Sequence, residues 1–141
     1  MTIWKKPFTV DEINTESTGL AQDVLGIRVT DFGDDYIAAT MPVEKRTHQP
    51  MGLLHGGASA LLAETVGSVA ANLAAPPGHI CVGQEINANH LRGVSKGTVT
   101  GTARPLHIGR RSQVWNIDIT DDSGRLICVS RLTMAVLDRS S

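Results

Sequence analysis

The sequence has few aromatic residues and no excess of charge of either sign. Aromatics make up 4% of the 141 residues, which argues against a stacking platform for single-stranded nucleic acid. Lys and Arg total 13 and Asp and Glu total 14, so the net charge is −1 and no basic surface for nucleic acid or anionic membranes is expected. The weakly charged stretch from Leu53 to Pro77 contains Glu64 and Asn72, which makes it too polar for a membrane span of ~20 residues.

The sequence also indicates neither an export signal nor a linker. Residues 1–7 lack the apolar run of a signal peptide, and no repeat or low-complexity tract divides the chain. We therefore expect one cytoplasmic domain over residues 1–141, which is a common domain length. In a reducing compartment, Cys81 and Cys128 are expected to be buried free thiols, although the sequence is also compatible with one disulfide.

Several catalytic and cofactor motifs do not occur. There is no Gly-x-Ser-x-Gly elbow of serine hydrolases, and no glycine-rich loop of the dinucleotide-binding or nucleotide-binding type. The five histidines and two cysteines show no metal-ligand spacing, and neither cysteine begins a predicted helix. The sequence thus predicts neither a metal nor a bound cofactor.

Hydrophobic periodicity predicts one long helix. Apolar residues recur at helical spacing over residues 57–75, and Pro76-Pro77-Gly78 ends the pattern. The remaining predicted elements are a short helix over 9–17 and strands over 25–32, 36–43, 80–92, 97–106, 111–120 and 126–137. Their short connections are typical of antiparallel neighbours, so we expect an α+β fold in which one antiparallel sheet packs on the long helix.

Glu64 is the only charged residue between Leu53 and Pro77. On a helical wheel it is surrounded by small residues, namely Gly57, Ala60, Gly67, Ser68, Ala71 and Ala75. A solvent-facing helix surface normally carries larger polar residues, so this surface predicts close packing by another element with a carboxylate in the contact. A carboxylate so placed needs a compensating partner or a function, unless it lies at the rim and reaches water.

The predicted helix begins at His55-Gly56-Gly57, where backbone N–H groups are unpaired and could polarise a ligand carbonyl. A tight turn with a chance histidine is the alternative explanation. Gly56 and Glu64 are eight positions apart, or roughly 12 Å along a helix, whereas reacting groups must approach to ~3–3.5 Å. We therefore expect two copies of the helix to pack antiparallel through the small-residue surface, so that two chains share each site.

Two segments carry a family resemblance. Residues 49–57 (QPMGLLHGG) and 63–68 (AETVGS) resemble the corresponding segments of hotdog-fold acyl-CoA thioesterases. The likeness is to the bacterial branch that contains 1,4-dihydroxy-2-naphthoyl-CoA hydrolase of menaquinone biosynthesis and the proofreading thioesterase of enterobactin synthesis. It continues through WK at 4–5, ATMPV at 39–43, EINANH at 85–90, QVW at 113–115 and SRLT at 130–133.

The resemblance implies a sheet wrapped around one helix, in homodimers that usually form homotetramers, and it implies roles for five residues. Glu64 would be the nucleophile or the general base, and the backbone N–H of Gly56 would bind the thioester oxygen. Gln49 and His55 would orient the thioester or the attacking water, and Ser68 would hold the carboxylate or the water. Gln49, His55 and Gly56 would come from one chain, with Glu64 and Ser68 from its partner.

The phosphates of coenzyme A require cations near the site. Candidate binding residues are Gly83, His90, Leu91, Arg92 and Gly93, and the segment His107, Ile108, Gly109, Arg110, Arg111 and Ser112. Ordinary charged strand ends are the alternative for each cation. Together the expectations describe a thioesterase for aromatic acyl-CoA. A thioesterase acting on aroyl carrier proteins, an acyl-CoA-binding protein without activity and a hydratase or dehydratase remain alternatives.

Overall fold

The helix predicted around Glu64 is present in the computed structural model, which describes residues 1–139. The helices are α1 (Val10–Glu16), α2 (Ala21–Val24) and α3 (Gly56–Ala74), with one 3₁₀ turn at Lys45–Thr47. The strands are β1 (Arg28–Phe32), β2 (Ile37–Val43), β3 (His79–His90), β4 (Gly97–Ile108), β5 (Ser112–Thr120) and β6 (Leu126–Asp138). The predicted α+β fold is confirmed.

The six strands form one antiparallel sheet in the order β1-β2-β4-β5-β6-β3. Burial alternates along β5, whose inner side chains pack towards α3, as expected for a sheet with one covered face. Among these, Trp115 is fully buried and donates from Nε1 to Gln113 Oε1 over 2.8 Å. Gln113 donates in turn to the carbonyl of Ala71 in α3 over 3.3 Å, so both buried polar side chains have partners.

The expectation that short connections join neighbouring strands is wrong for β3 and β4. Residues 91–96 connect these strands, but β3 pairs with β6 at one sheet edge and β4 lies between β2 and β5. The connection contacts the loop before α3, since Leu54 N–H donates to the carbonyl of Val94 over 2.7 Å and His48 Nε2 lies 2.9 Å from the carbonyl of Ser95. Because the sheet curls around α3, a short segment crosses between strands that are not neighbours in the sheet.

The region before β1 also differs from the prediction. The first strand was expected from residue 25, but Ala21–Val24 forms an additional helical turn and β1 starts at Arg28. Gly26 takes a positive φ of 76°, a conformation that glycine adopts without strain and that interrupts an extended strand. Asn14 of α1 then binds the edge of β1, where its side chain donates to the carbonyl and accepts from the N–H of Val29, both over 2.9 Å.

The expected helix–helix contact through small residues of α3 is wrong for part of that surface. Gly67 and Ala71 are buried within their own chain, and a Cβ on Gly67 would lie 2.6 Å from Leu132 and 3.2 Å from Ile117. These small residues therefore let α3 approach its own sheet closely, and a second helix cannot occupy the same space. Glu64 lies at the border between this sheet-facing side and the side covered by α1 and α2.

Both cysteines are free and buried, which confirms the expectation of free thiols over a disulfide. Burial raises the pKa of the Cys81 and Cys128 thiols, so little reactive thiolate forms near neutral pH. None of the helices within residues 1–139 combines the length and hydrophobicity of a membrane span.

Candidate active site

The side chain of Glu64 extends from α3 to the edge strand β3. Its Oε2 lies against Gly83, at the place that the Cβ of any other residue would occupy. At this point the pairing of β3 with β6 contains a bulge between Gly83 and Glu85. The carboxylate is half-buried and makes no ion pair with any residue of the described chain. A carboxylate held in this way is available to a ligand.

A cavity of about 720 Å³ opens beside Glu64, between α3 and the segment that contains α1 and α2. Its volume is within the usual range for small-molecule sites. Apolar side chains from both segments line most of it, including Ile13, Leu20, Leu61, Val69 and Leu73. Sequence reasoning missed this wall because α2 was not predicted.

Ser68 also lines the cavity, one helical turn beyond Glu64. Its hydroxyl lies 3.9 Å from the sulfur of Met134, a weak acceptor, so this contact does not show the predicted support of the Glu64 carboxylate. Replacing this weak contact with a hydrogen bond from the Ser68 hydroxyl to a ligand costs little free energy. Ser68 therefore lies near Glu64 as expected. Its role in holding the carboxylate or the attacking water stays a prediction.

At the start of α3, the ring of His55 caps the helix. Its Nδ1 accepts from the N–H of Gly57 over 2.8 Å, so the neutral ring carries its proton on Nε2. The N–H of Gly56 has no hydrogen-bond partner within residues 1–139. Of the two glycine N–H groups expected to be free, only that of Gly56 remains available, at the positive end of the helix dipole.

Gln49 lies in the loop before α3, and this loop fixes the orientation of its amide. Its Oε1 accepts from the N–H groups of Met51 and Leu53, while the backbone of Gln49 pairs with that of Leu53. Because the amide oxygen is occupied, its NH₂ group is the part that can donate to a ligand. Gln49 and Gly56 are thus both donors.

One protomer does not bring these donors to the carboxylate. Gly56 and Glu64 lie eight residues apart in a continuous helix, which is roughly 12 Å. The candidate coenzyme A-binding residues also form two groups, one near Gly56 and one at the level of Glu64. His90 lies at the end of β3 beside Gly56, where a Cβ on the glycine would be 2.9 Å from His90 Nε2.

The second group of candidate cations lies at the other end of the sheet. Ile108 pairs with Gln113, which pairs with Met134, which pairs with Gly83. The turn between β4 and β5 is therefore at the same level as Glu64, whereas residues 90–93 are at the level of Gly56. No cluster of three or more His, Cys, Asp or Glu side chains suited to a metal ion occurs in the part of the chain that the structure describes.

Comparison with known proteins shows the family to which the chain belongs. The family model described as "Thioesterase superfamily" matches residues 51–128. The proofreading thioesterase EntH of Cronobacter turicensis is 54% identical over 135 residues, covering 96% of this chain and 98% of the relative. The 1,4-dihydroxy-2-naphthoyl-CoA hydrolase of Escherichia coli is 52% identical over 135 residues, covering 96% and 99%.

A solved structure shows the same fold. The crystal structure of a thioesterase from Haemophilus influenzae superposes with a TM-score of 0.98 at 49% sequence identity, covering 99% of this chain and 98% of that one. The family match spans more than half of the 141 residues and includes Gly56, Glu64 and Ser68. The chain belongs to the thioesterase superfamily, and it is a thioester hydrolase with the hotdog fold.

Proposed function

We propose that this thioesterase hydrolyses aromatic acyl-CoA, such as 1,4-dihydroxy-2-naphthoyl-CoA, to the free acid and coenzyme A. The observation that carries the proposal is the unpaired Glu64 carboxylate beside an apolar cavity of about 720 Å³. A flat aromatic acyl group fits a cavity of this size, and its transfer from water into the apolar cavity costs little free energy. The thioester would then lie at the polar rim, next to Glu64 and Ser68.

The reaction adds water across the carbon–sulfur bond of the thioester. Glu64 either removes a proton from the attacking water or attacks the carbonyl carbon itself, and the second route gives an anhydride that water then cleaves. In both routes the Gly56 N–H stabilises the negative charge on the thioester oxygen. The coenzyme A sulfur leaves with the bonding electron pair and takes up a proton.

The proposal includes a site shared between two copies. Along β3, residues beyond Cys81 have no pairing partner on the side away from β6 within the described chain. An antiparallel pairing of two such strands centred near Asn87 places Gly83 of one copy across from His90 of the other. Glu64 lies against Gly83 and Gly56 lies against His90, so the two halves of the site meet.

The same pairing joins the two groups of candidate coenzyme A residues. The turn between β4 and β5 of one copy comes beside His90, Arg92 and the adjoining residues of the other, which gathers cations for the phosphates. Pairing through the β3 edge replaces the helix contact expected from the sequence. Further association into a homotetramer is a separate prediction, which light scattering tests directly.

The acyl carrier is the remaining alternative. Relatives of nearly equal identity bear the names of a coenzyme A thioester hydrolase and of a proofreading thioesterase. The experiment is to compare kcat/KM for the same aroyl group on coenzyme A and on a carrier protein, together with aliphatic acyl-CoA of increasing length. We expect aromatic acyl-CoA to give the highest values, and a preference of tenfold or more for the carrier protein would reverse the assignment.

Glu64→Gln tests the chemistry itself. We expect kcat to fall by about 10²–10⁴ because both routes need the carboxylate. Glu12→Gln is the matched control, since it makes the same change at an exposed residue of α1 whose capping role glutamine retains. Wild-type kcat in Glu64→Gln would disprove the assigned role.

A further inference from the structure

Asn72 connects α3 to the strand that carries Gly83. It lies one helical turn beyond Ser68 and two turns beyond Glu64, on the side of α3 that borders the cavity. Its Nδ2 donates to the carbonyl of Ser68 over 2.8 Å and to that of Cys81 over 3.2 Å, and its Oδ1 accepts from the N–H of Cys81 over 2.8 Å. Each hydrogen-bonding group of this amide is thus used within the protein.

The two bonds to Cys81 engage the free edge of β3. Cys81 is paired with Val136, whose N–H donates to the carbonyl of Arg111 and therefore points towards β5. In an antiparallel pair of this kind, the N–H and carbonyl of Cys81 point away from β6. The Asn72 amide forms hydrogen bonds with this N–H and this carbonyl, as a neighbouring strand would, so this end of β3 is bound to α3.

Gly83 follows two residues after Cys81 and therefore faces the same side of the sheet. There it forms the wall against which the Glu64 carboxylate lies. The bulge between Gly83 and Glu85 begins at this wall, so pairing with β6 constrains β3 less there. The Asn72 clamp, defined as the three hydrogen bonds of its amide, thus ties β3 to α3 two residues before Gly83, together with the contact of Cys81 Sγ with the carbonyl of Ala71.

We propose that Asn72 is a positioning residue for the thioesterase reaction, and that its clamp holds Gly83 at the distance from α3 that orients the Glu64 carboxylate. This inference rests on the proposed role of Glu64. Asn72 does not act on substrate in this scheme, because its amide has no donor left to offer. Loss of the clamp lets β3 move relative to α3 and misplaces the carboxylate, while the cavity that binds the acyl group keeps its other walls.

The test compares Asn72→Ala with Asn14→Ala. Asn14 makes the same pair of amide bonds to Val29 on the opposite sheet edge and does not line the cavity, so its loss matches the loss of the two Asn72 bonds to Cys81, while the third Asn72 bond, to Ser68, has no counterpart. We expect Asn72→Ala to lower kcat on an aroyl-CoA by about 10–100-fold with KM changed less than about threefold. Asn14→Ala should lower the melting temperature while kcat stays within about twofold of wild type.

Two further readouts separate positioning from general loss of structure. Amide hydrogen exchange should become at least about tenfold faster at Cys81 in Asn72→Ala. In the Glu64→Gln background, adding Asn72→Ala should leave the residual kcat unchanged, because no carboxylate remains to be oriented. Asn72→Gln, which keeps the amide on a longer arm, serves if the alanine variant does not fold, and it should fold normally yet have reduced kcat.

Three results would overturn the inference: an unchanged kcat in Asn72→Ala despite faster exchange at Cys81, an equal drop in the Glu64→Gln background, or an equal drop in Asn14→Ala. Failure of the proposed function has a different signature. In that case the wild-type protein releases no thiol from aroyl-CoA, or Glu64→Gln keeps the wild-type kcat, and the inference about Asn72 fails with it.

Discussion

The carboxylate of Glu64 occupies the space beside Gly83 that a side chain on residue 83 would need. The helix and the edge strand therefore constrain each other at one point, and that point adjoins the cavity. A β-strand interior normally disfavours glycine, and close approach of another group is one reason for its presence. The arrangement makes the position of the carboxylate sensitive to a single methyl group on the strand.

Gly83→Ala should displace the carboxylate. The added Cβ collides with Glu64 Oε2, so we expect kcat on an aroyl-CoA to fall by about 10–100-fold. The melting temperature should change little, because alanine fits an extended strand. Val82→Ala alters the adjacent, outward-facing residue and is expected to keep kcat within about twofold. Equal kcat in both variants would show that Gly83 does not control Glu64.

Gly56→Pro removes the free N–H at the start of α3. Proline is favoured at the first position of a helix, and the ψ of 131° at His55 suits the residue before proline. Gly56→Ala is the matched control, since its Cβ meets the same His90 side chain but the N–H remains. We expect kcat to be about 10²–10³ lower in the proline variant than in the alanine variant. Similar kcat values would exclude the N–H as an oxyanion donor.

Mixed dimers test the shared site. Gly56→Pro and Glu64→Gln each inactivate a different half of the site, so a heterodimer of the two variants contains one intact site. After unfolding and refolding of an equal mixture, half of the dimers are mixed and half of their sites are intact, which gives about a quarter of wild-type activity. Activity no higher than the average of the separate variants would place the whole site in one chain.

Asp121 provides a prediction for stability at low pH. In the turn between β5 and β6 its carboxylate accepts from the N–H groups of Arg125 and Ser123 and from Arg125 Nε. The Arg125 N–H, followed by that of Ser123, lowers the pKa of Asp121 from its usual range. A carboxyl whose pKa is lower in the folded state contributes stability above its unfolded pKa and loses it as the pH falls through the folded pKa.

Asp121→Asn retains an acceptor for the two backbone N–H groups but removes the charge. We expect the variant to melt at a lower temperature than wild type at pH 7, and the difference to shrink as the pH falls below the unfolded pKa of Asp121 and through its lower folded pKa. Melting curves across this range measure it. A constant difference at every pH would show that the charge of Asp121 does not contribute.

The sequence predicted α3 because burial on one side of a helix leaves a regular trace in local periodicity, and it predicted the six strands from extended segments between turns, although β1 starts later than expected. It also singled out Glu64, since a lone carboxylate among small residues contrasts with both a core and a solvent-facing helix. The order of the strands in the sheet could not be predicted from local periodicity. The segment 91–96 is short, yet it connects two strands that do not pair.

The orientation of α3 was missed for a related reason. Its surface consists largely of Ala, Gly and Ser, which differ little in hydrophobicity, so the wheel could not show which small residues face the sheet. Ala71 is fully buried although it lies close to Glu64 on the wheel. Asn72 could have been noticed from its spacing of four from Ser68, but its clamp on Cys81 depends on where the following strand returns.

The two edges of the sheet are not equivalent. At β1, the amide of Asn14 saturates the outward N–H and carbonyl of Val29, and the pairing with β2 is irregular between Val29 and Asp31. At β3, a long unsaturated edge continues beyond Cys81. Strand addition that could propagate at both ends builds fibrils, whereas a sheet with one receptive edge stops after joining a single equivalent edge. The amide of Asn14 at Val29 thus closes part of the β1 edge to strand addition and leaves β3 as the receptive edge of the sheet.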